Sequence, residues 1–146
     1  MIERMQEEIL RAQRHGTALG AVLLKLDERR EIERAHGRRL CTEVFSYTSG
    51  ELVRQLRRFD RLGGLEDGEL LALLPGADIL RSEIVARRVL MRLRAIKIEV
   101  RERREAMGVH ASIAQWTQGQ TAELLIEHAR VAAAHEQLGF QDALRV

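Results

Sequence analysis

Apolar residues recur along this chain at two spacings, and one run obeys neither. In residues 2–15, Ile2, Met5, Ile9 and Ala12 fall three or four apart, the stripe of an amphipathic helix. Gly16 then stands where a left-handed cap would stop it. Residues 19–26 read LGAVLLKL, nearly unbroken apolar sequence, as a central strand buried on both faces requires. A polar helical stretch begins at Asp27 and breaks near His36-Gly37. Helical spacing resumes from about Arg39 to Arg58, with Leu40, Val44, Tyr47, Leu52, Val53 and Leu56 predicted inward. Residues 61–74 predict a hairpin turning at Glu66-Asp67-Gly68, because Asp-Gly accepts the positive φ of a tight turn. Pro75-Gly76 ends its second strand.

Ile79, Ile84, Val85, Val89, Leu90 and Leu93 predict another helix over 78–96. Residues 97–103 and 107–116 predict two strands joined by a charged turn near Arg104-Glu105. Thr121 caps a last helix, 122–137, which ends at Gly139. Strands alternating with helices, one hairpin among them, predict an α/β sandwich with a central mixed sheet of about five strands flanked by helices. No linker-like or repeated segment divides the chain. Residues 17–146 are therefore expected to form one domain, with residues 1–16 a helix leading into it.

Composition narrows the function. At 146 residues, 45% hydrophobic and 32% charged, the chain suits one soluble domain. No run approaches the length of a membrane span, so direct membrane insertion is not expected. A net charge of +2 and 3% aromatics leave neither a basic footprint nor a stacking platform for nucleic acid. The single cysteine, Cys41, fits a reducing, cytoplasmic setting. His15, His36, His110, His128 and His135 have no cysteine or carboxylate set at zinc spacing and are expected to be solvated.

The chemistry concentrates around one segment. Arg57-Arg58-Phe59-Asp60 is followed ten residues later by Leu70, and then by Leu73-Leu74-Pro75. This spacing resembles that of the GGDEF domain, the diguanylate cyclase family, in which an Arg-x-x-Asp pair leads into the signature hairpin. The likeness covers nearly the whole chain. Where the family's first strand ends in Asp-x-Asp and continues Phe-Lys-x-Ile-Asn-Asp-x-Tyr-Gly, this chain has Lys25-Leu26-Asp27 and then Arg29 to Gly37. Asp27, Ile32 and Gly37 agree.

At the positions that resemblance links to joining two GTP molecules, the residues depart. The metal-binding Asp corresponds to Lys25, which repels a hard divalent ion. The two guanine readers correspond to Glu33 and Thr42, and the phosphate-clamping Lys and Arg to Glu136 and Phe140. The signature itself corresponds to Glu66-Asp67-Gly68-Glu69-Leu70, so only Glu69 survives from it. A register shifted by three would instead use Arg61-Leu62-Gly63-Gly64 and leave the other departures unchanged. These departures imply a degenerate domain that is not an enzyme, with no catalytic residue, metal or cofactor.

The family's product-inhibition site, by contrast, is represented in full. Arg57 and Asp60 fill its Arg-x-x-Asp, and counting thirteen residues on from Pro75 brings its third residue to Arg88. Guanidinium forks grip phosphate oxygens or the O6/N7 edge of guanine, and a carboxylate accepts from guanine N–H groups. The resemblance therefore implies a cyclic di-GMP receptor that binds its ligand through Arg57, Asp60 and Arg88, the ligand often entering as an intercalated dimer. Such receptors act on biofilm formation or exopolysaccharide export through a protein partner or an upstream domain. The alternative expectation is a ligand-independent interaction domain descended from a cyclase. Retained GTP binding is a third.

Overall fold

The structure, a computed structural model, describes residues 1–26, 34, 37–66, 68–94, 97–100, 103–106 and 109–132. Helix α1 (Ile2–His15) ends at Gly16, which takes the left-handed conformation at φ 62° and returns its N–H to Ala12 O. Strand β1 (Leu19–Leu26) follows, then helix α2 (Arg38–Gln55) and the hairpin β2 (Arg61–Gly64) and β3 (Glu69–Pro75). Helix α3 (Ile79–Arg94) leads to β4 (Lys97–Val100), β5 (Arg103–Ala106) and β6 (Val109–Gln115). Helix α4 covers 122–132.

Four strands form one sheet in the order β2-β3-β1-β6, and β4 and β5 make a separate two-stranded sheet. Every pair is antiparallel. The α/β expectation holds, and the main sheet has four antiparallel strands among the described residues where a mixed sheet of about five was expected. The difference lies in residues 97–106: Arg104 and Glu105 sit within β5 and do not form the turn before β6. Charge alone therefore misplaced that turn. Asp67 and the helical stretch from Asp27 to His36 lie outside the described residues, except for Arg34, as does the chain after residue 132.

Period-two alternation in β1 explains why its sequence has no polar face. Val22 and Leu24 join Leu70, Ala72 and Leu74 of β3 against Leu52 of α2 and Ala86, Val89 and Leu90 of α3. Leu19, Ala21 and Leu23 turn the other way, onto Met5, Ile9 and Ala12 of α1 and Leu125, Ile126 and Ala129 of α4. Burying such side chains stabilises the domain by roughly 1.5–3 kcal/mol each, before conformational entropy is counted. α1 is thus part of the second core layer.

The helices show fewer inward positions than their spacing suggests. Tyr47 and Val53 are more than half exposed although predicted inward, and Ile2, Ile79 and Ile84, which set the helical spacing of their segments, are 40%, 54% and 50% exposed. Each helix carries more apolar residues than one face against the sheet can hold. The side chains of Leu40, Val44 and Leu93 lie outside the described set. Near the start of β1 the packing is close. A Cβ on Gly20 would come 2.1 Å from Ser82 Oγ and 3.2 Å from Ala77 O, so the glycine lets the start of α3 approach β1.

Candidate functional site

α2 stops at Gln55, two residues before the Arg-x-x-Asp pair. Leu56 is extended, at φ −90° and ψ 152°, and its N–H donates to Val53 O at 3.1 Å. Arg57 and Asp60 then close a turn on each other. Arg57 N–H donates to Asp60 Oδ2 at 2.7 Å, and Asp60 N–H donates to Arg57 O at 3.1 Å. Arg57 Nε lies 3.6 Å from the same Oδ2. The pair therefore occupies a turn after the helix and not the end of the helix, where the sequence placed it. The aspartate offers Arg57 N–H an acceptor that competes with the helical carbonyl, and so helps to end α2.

The electrostatics of this turn are uneven. Asp60's side chain is only 2% exposed, and its Oδ1 is buried with no hydrogen-bond partner. Arg57 is 35% exposed. Its Nη2 donates to Pro75 O at 3.2 Å, and its guanidinium lies 5.1 Å from the centre of the Phe59 ring. The arginine thus screens the carboxylate while resting on weak, neutral partners.

Arg88 is exposed on α3. It lines an open groove of about 470 Å³ with Met91 and Arg92 of α3 and Gln55 of α2. Gln55 is the residue at which α2 hands over to the Arg57 turn, so the groove opens next to that turn. Arg57 and Asp60 are brought together, and Arg88 is linked to them only through the groove it shares with Gln55. No hydrogen bond or ion pair among the described residues joins Arg88 to either of them.

A second charged constellation lies on the other face of the sheet, at the end of β1 opposite Leu19. Glu69, buried at the start of β3, accepts from Arg130 of α4 through both oxygens: Nε to Oε2 at 3.1 Å and Nη2 to Oε1 at 2.9 Å. Glu66 Oε1 is 3.9 Å from the same Nη2. Hydrogen bonding to Glu69 raises the Arg130 pKa above its ordinary value; burial opposes this, and the charges of Glu69, Glu66 and Glu127 add to it. Lys25 and His110 occupy the register positions beside Glu69 and beside Lys25, so the three share one face. Nothing local in the sequence announced Arg130, which stands 61 residues from its partner.

Other predicted positions are less informative. Thr42 is exposed and turns its hydroxyl to Arg38 O at 2.9 Å. Glu33, Asp67, Glu136 and Phe140 lie outside the described residues. Gly63 and Gly64 are strand residues of β2, paired with Leu71 and Leu70, so the hairpin turns beyond them. A hard divalent cation needs oxygens with free lone pairs. Both oxygens of Glu69 are engaged, Lys25 stands beside it, and among the described residues no group of three His, Cys, Asp or Glu could hold a metal ion. Among the described residues, this arrangement does not fit the divalent cation that the family holds at the position of Lys25.

The family model for the diguanylate cyclase GGDEF domain matches residues 1–138. The chain belongs to the GGDEF family. Among solved structures, this GGDEF domain resembles the diguanylate cyclase SiaD of Pseudomonas aeruginosa, solved with its activator SiaC. Identity is 22% and the TM-score 0.85, over 94% of this chain and 53% of SiaD. The chain thus spans about half of SiaD's length. DgcB of Caulobacter crescentus, whose GGDEF domain was solved with c-di-GMP, gives 14% identity and a TM-score of 0.85 over 94% of this chain and 82% of that one. An active GGEEF domain of a Vibrio cholerae diguanylate cyclase gives 14% and 0.81, over 94% and 88%. At these identities the likeness establishes the fold. Among curated proteins none matches the sequence.

Membership corrects one expectation. The reading of the chain as not an enzyme does not stand, because the family matched over residues 1–138 is that of the diguanylate cyclases. Departures at Lys25, Thr42 and the hairpin concern single positions, whereas the match runs along nearly the whole chain. Among the described residues no helix is long and apolar enough to cross a membrane.

Proposed function

We propose that this GGDEF domain is a cyclic di-GMP receptor that holds its ligand through Arg57, Asp60 and Arg88 and passes the signal to a partner protein or adjoining domain in the cytoplasm. The observation that carries the reading is Asp60 Oδ1, a buried carboxylate oxygen with no hydrogen-bond partner, next to an arginine that meets only Oδ2 and rests on weak supports. Leaving such an atom unpaired costs free energy that a donor would recover. Guanine offers that donor set in its N1–H and N2–H₂ groups. Turning Arg57 away from Phe59 and Pro75 frees the guanidinium for phosphate or for the guanine O6/N7 edge. Arg88 meets the ligand from the groove beside Gln55.

The degenerate letters of the signature fit this reading, since a receptor needs the Arg-x-x-Asp turn and not the hairpin glycines. Micromolar affinity, about −8 kcal/mol, suits a ligand held by a few charged contacts. DgcB, a fold neighbour, was solved with c-di-GMP. A thermal-shift screen with cyclic di-GMP, cyclic di-AMP and GTP tests the proposal: the midpoint rises with cyclic di-GMP, and a rise with GTP alone contradicts it.

A second reading, a ligand-independent interaction domain, draws on the exposed apolar side chains Leu80, Ile84 and Met91, 50–69% accessible along α3. It expects the same midpoint with all three nucleotides.

A further inference from the structure

The acid that survives from the signature is not open to solvent chemistry. Arg130 reaches Glu69 across 61 residues of chain and meets it with two roughly parallel hydrogen bonds, at 3.1 and 2.9 Å. This fork geometry uses the carboxylate edge on which a divalent ion would sit. We propose that Arg130 is an internal counter-ion of Glu69, filling the place of a divalent cation, and that a cation reaches this carboxylate only by displacing the guanidinium.

Three features support the assignment besides the two hydrogen bonds. The Glu69 side chain is 9% exposed, so water does little to loosen the pair. Lys25, at the paired register position on β1, adds a second positive charge where an incoming cation would approach. Glu66 shares Nη2 of Arg130 with Glu69, at 3.9 and 2.9 Å. The guanidinium therefore fills a space bordered by two carboxylates. Once it is removed, those carboxylates face the same space, and oxygen donors so arranged are what a hard divalent ion takes. The pair also joins α4 to the hairpin, so displacement would loosen the contact between the two. This inference does not depend on the Arg57–Asp60 reading, which concerns the other face of the sheet.

Calorimetric titration of the 146-residue chain with Mn²⁺ tests it, using wild type, Glu69→Gln, Arg130→Gln and the double variant. Wild type and Glu69→Gln are expected to bind Mn²⁺ equally weakly. Arg130→Gln is expected to bind at least about tenfold tighter, and the double variant to lose the gain. Wild type binding more tightly than Glu69→Gln overturns the proposal, as does a folded Arg130→Gln with no gain. Should Arg130→Gln fail to fold, the wild type decides. The Nε–H resonance of Arg130 stays in place under millimolar Mg²⁺ if the assignment is right, and its displacement by Mg²⁺ overturns it.

Discussion

Asp60 and Glu69 are both nearly buried acids held by arginines of similar exposure, 35% for Arg57 and 32% for Arg130, yet the two pairs are built differently. Glu69 gives both oxygens to Arg130 and ties α4 to the hairpin across the molecule. Asp60 gives one oxygen to its neighbour three residues away and keeps the other buried and unpartnered. The first pair holds elements of the fold together. The second holds only a turn and has an acceptor to spare. Exposure alone ranks the two alike; what separates them is the number of carboxylate oxygens engaged.

Loss of Arg130 should separate the two pairs most sharply. Arg130→Ala leaves Glu69 buried without a counter-ion and should lower stability by about 3 kcal/mol in urea denaturation. Arg130→Met combined with Glu69→Leu should recover most of that loss, because an apolar pair carries no desolvation penalty. Next comes Arg57→Ala, expected to weaken cyclic di-GMP binding by roughly 2 kcal/mol with less effect on folding, since its pair spans one turn. Arg88→Ala should weaken the same binding by about 1 kcal/mol and leave the melting midpoint unchanged, as Arg88 is exposed. Phe59→Ala should have the smallest effect, about 0.5 kcal/mol of stability from the lost cation–π contact.

Local physics was legible in the sequence, and distant pairing was not. The run of residues 19–26 named a strand buried on both faces because only that environment tolerates such a sequence. Gly16 and Thr121 marked a cap at each end of the chain, and Thr121 Oγ1 does accept from Leu124 N–H at 3.2 Å. The spacing from Asp60 to Leu70 carried the family likeness. Helical period, however, cannot tell which apolar residues exceed the space on the buried face, so Tyr47 and Val53 were misassigned. The end of α2 was set too late because a side-chain acceptor, Asp60, competes with helical geometry without altering hydrophobic spacing. Glu69 was visible as a surviving letter. Its partner was not, since nothing in the sequence around Arg130 points to a residue on the hairpin.

Isothermal titration of cyclic di-GMP into wild type and Asp60→Ala decides whether the Arg57–Asp60 turn holds the ligand. Wild type is expected to bind saturably in the micromolar range, and the variant at least about tenfold more weakly. Equal heats from both proteins, whether large or absent, would contradict it.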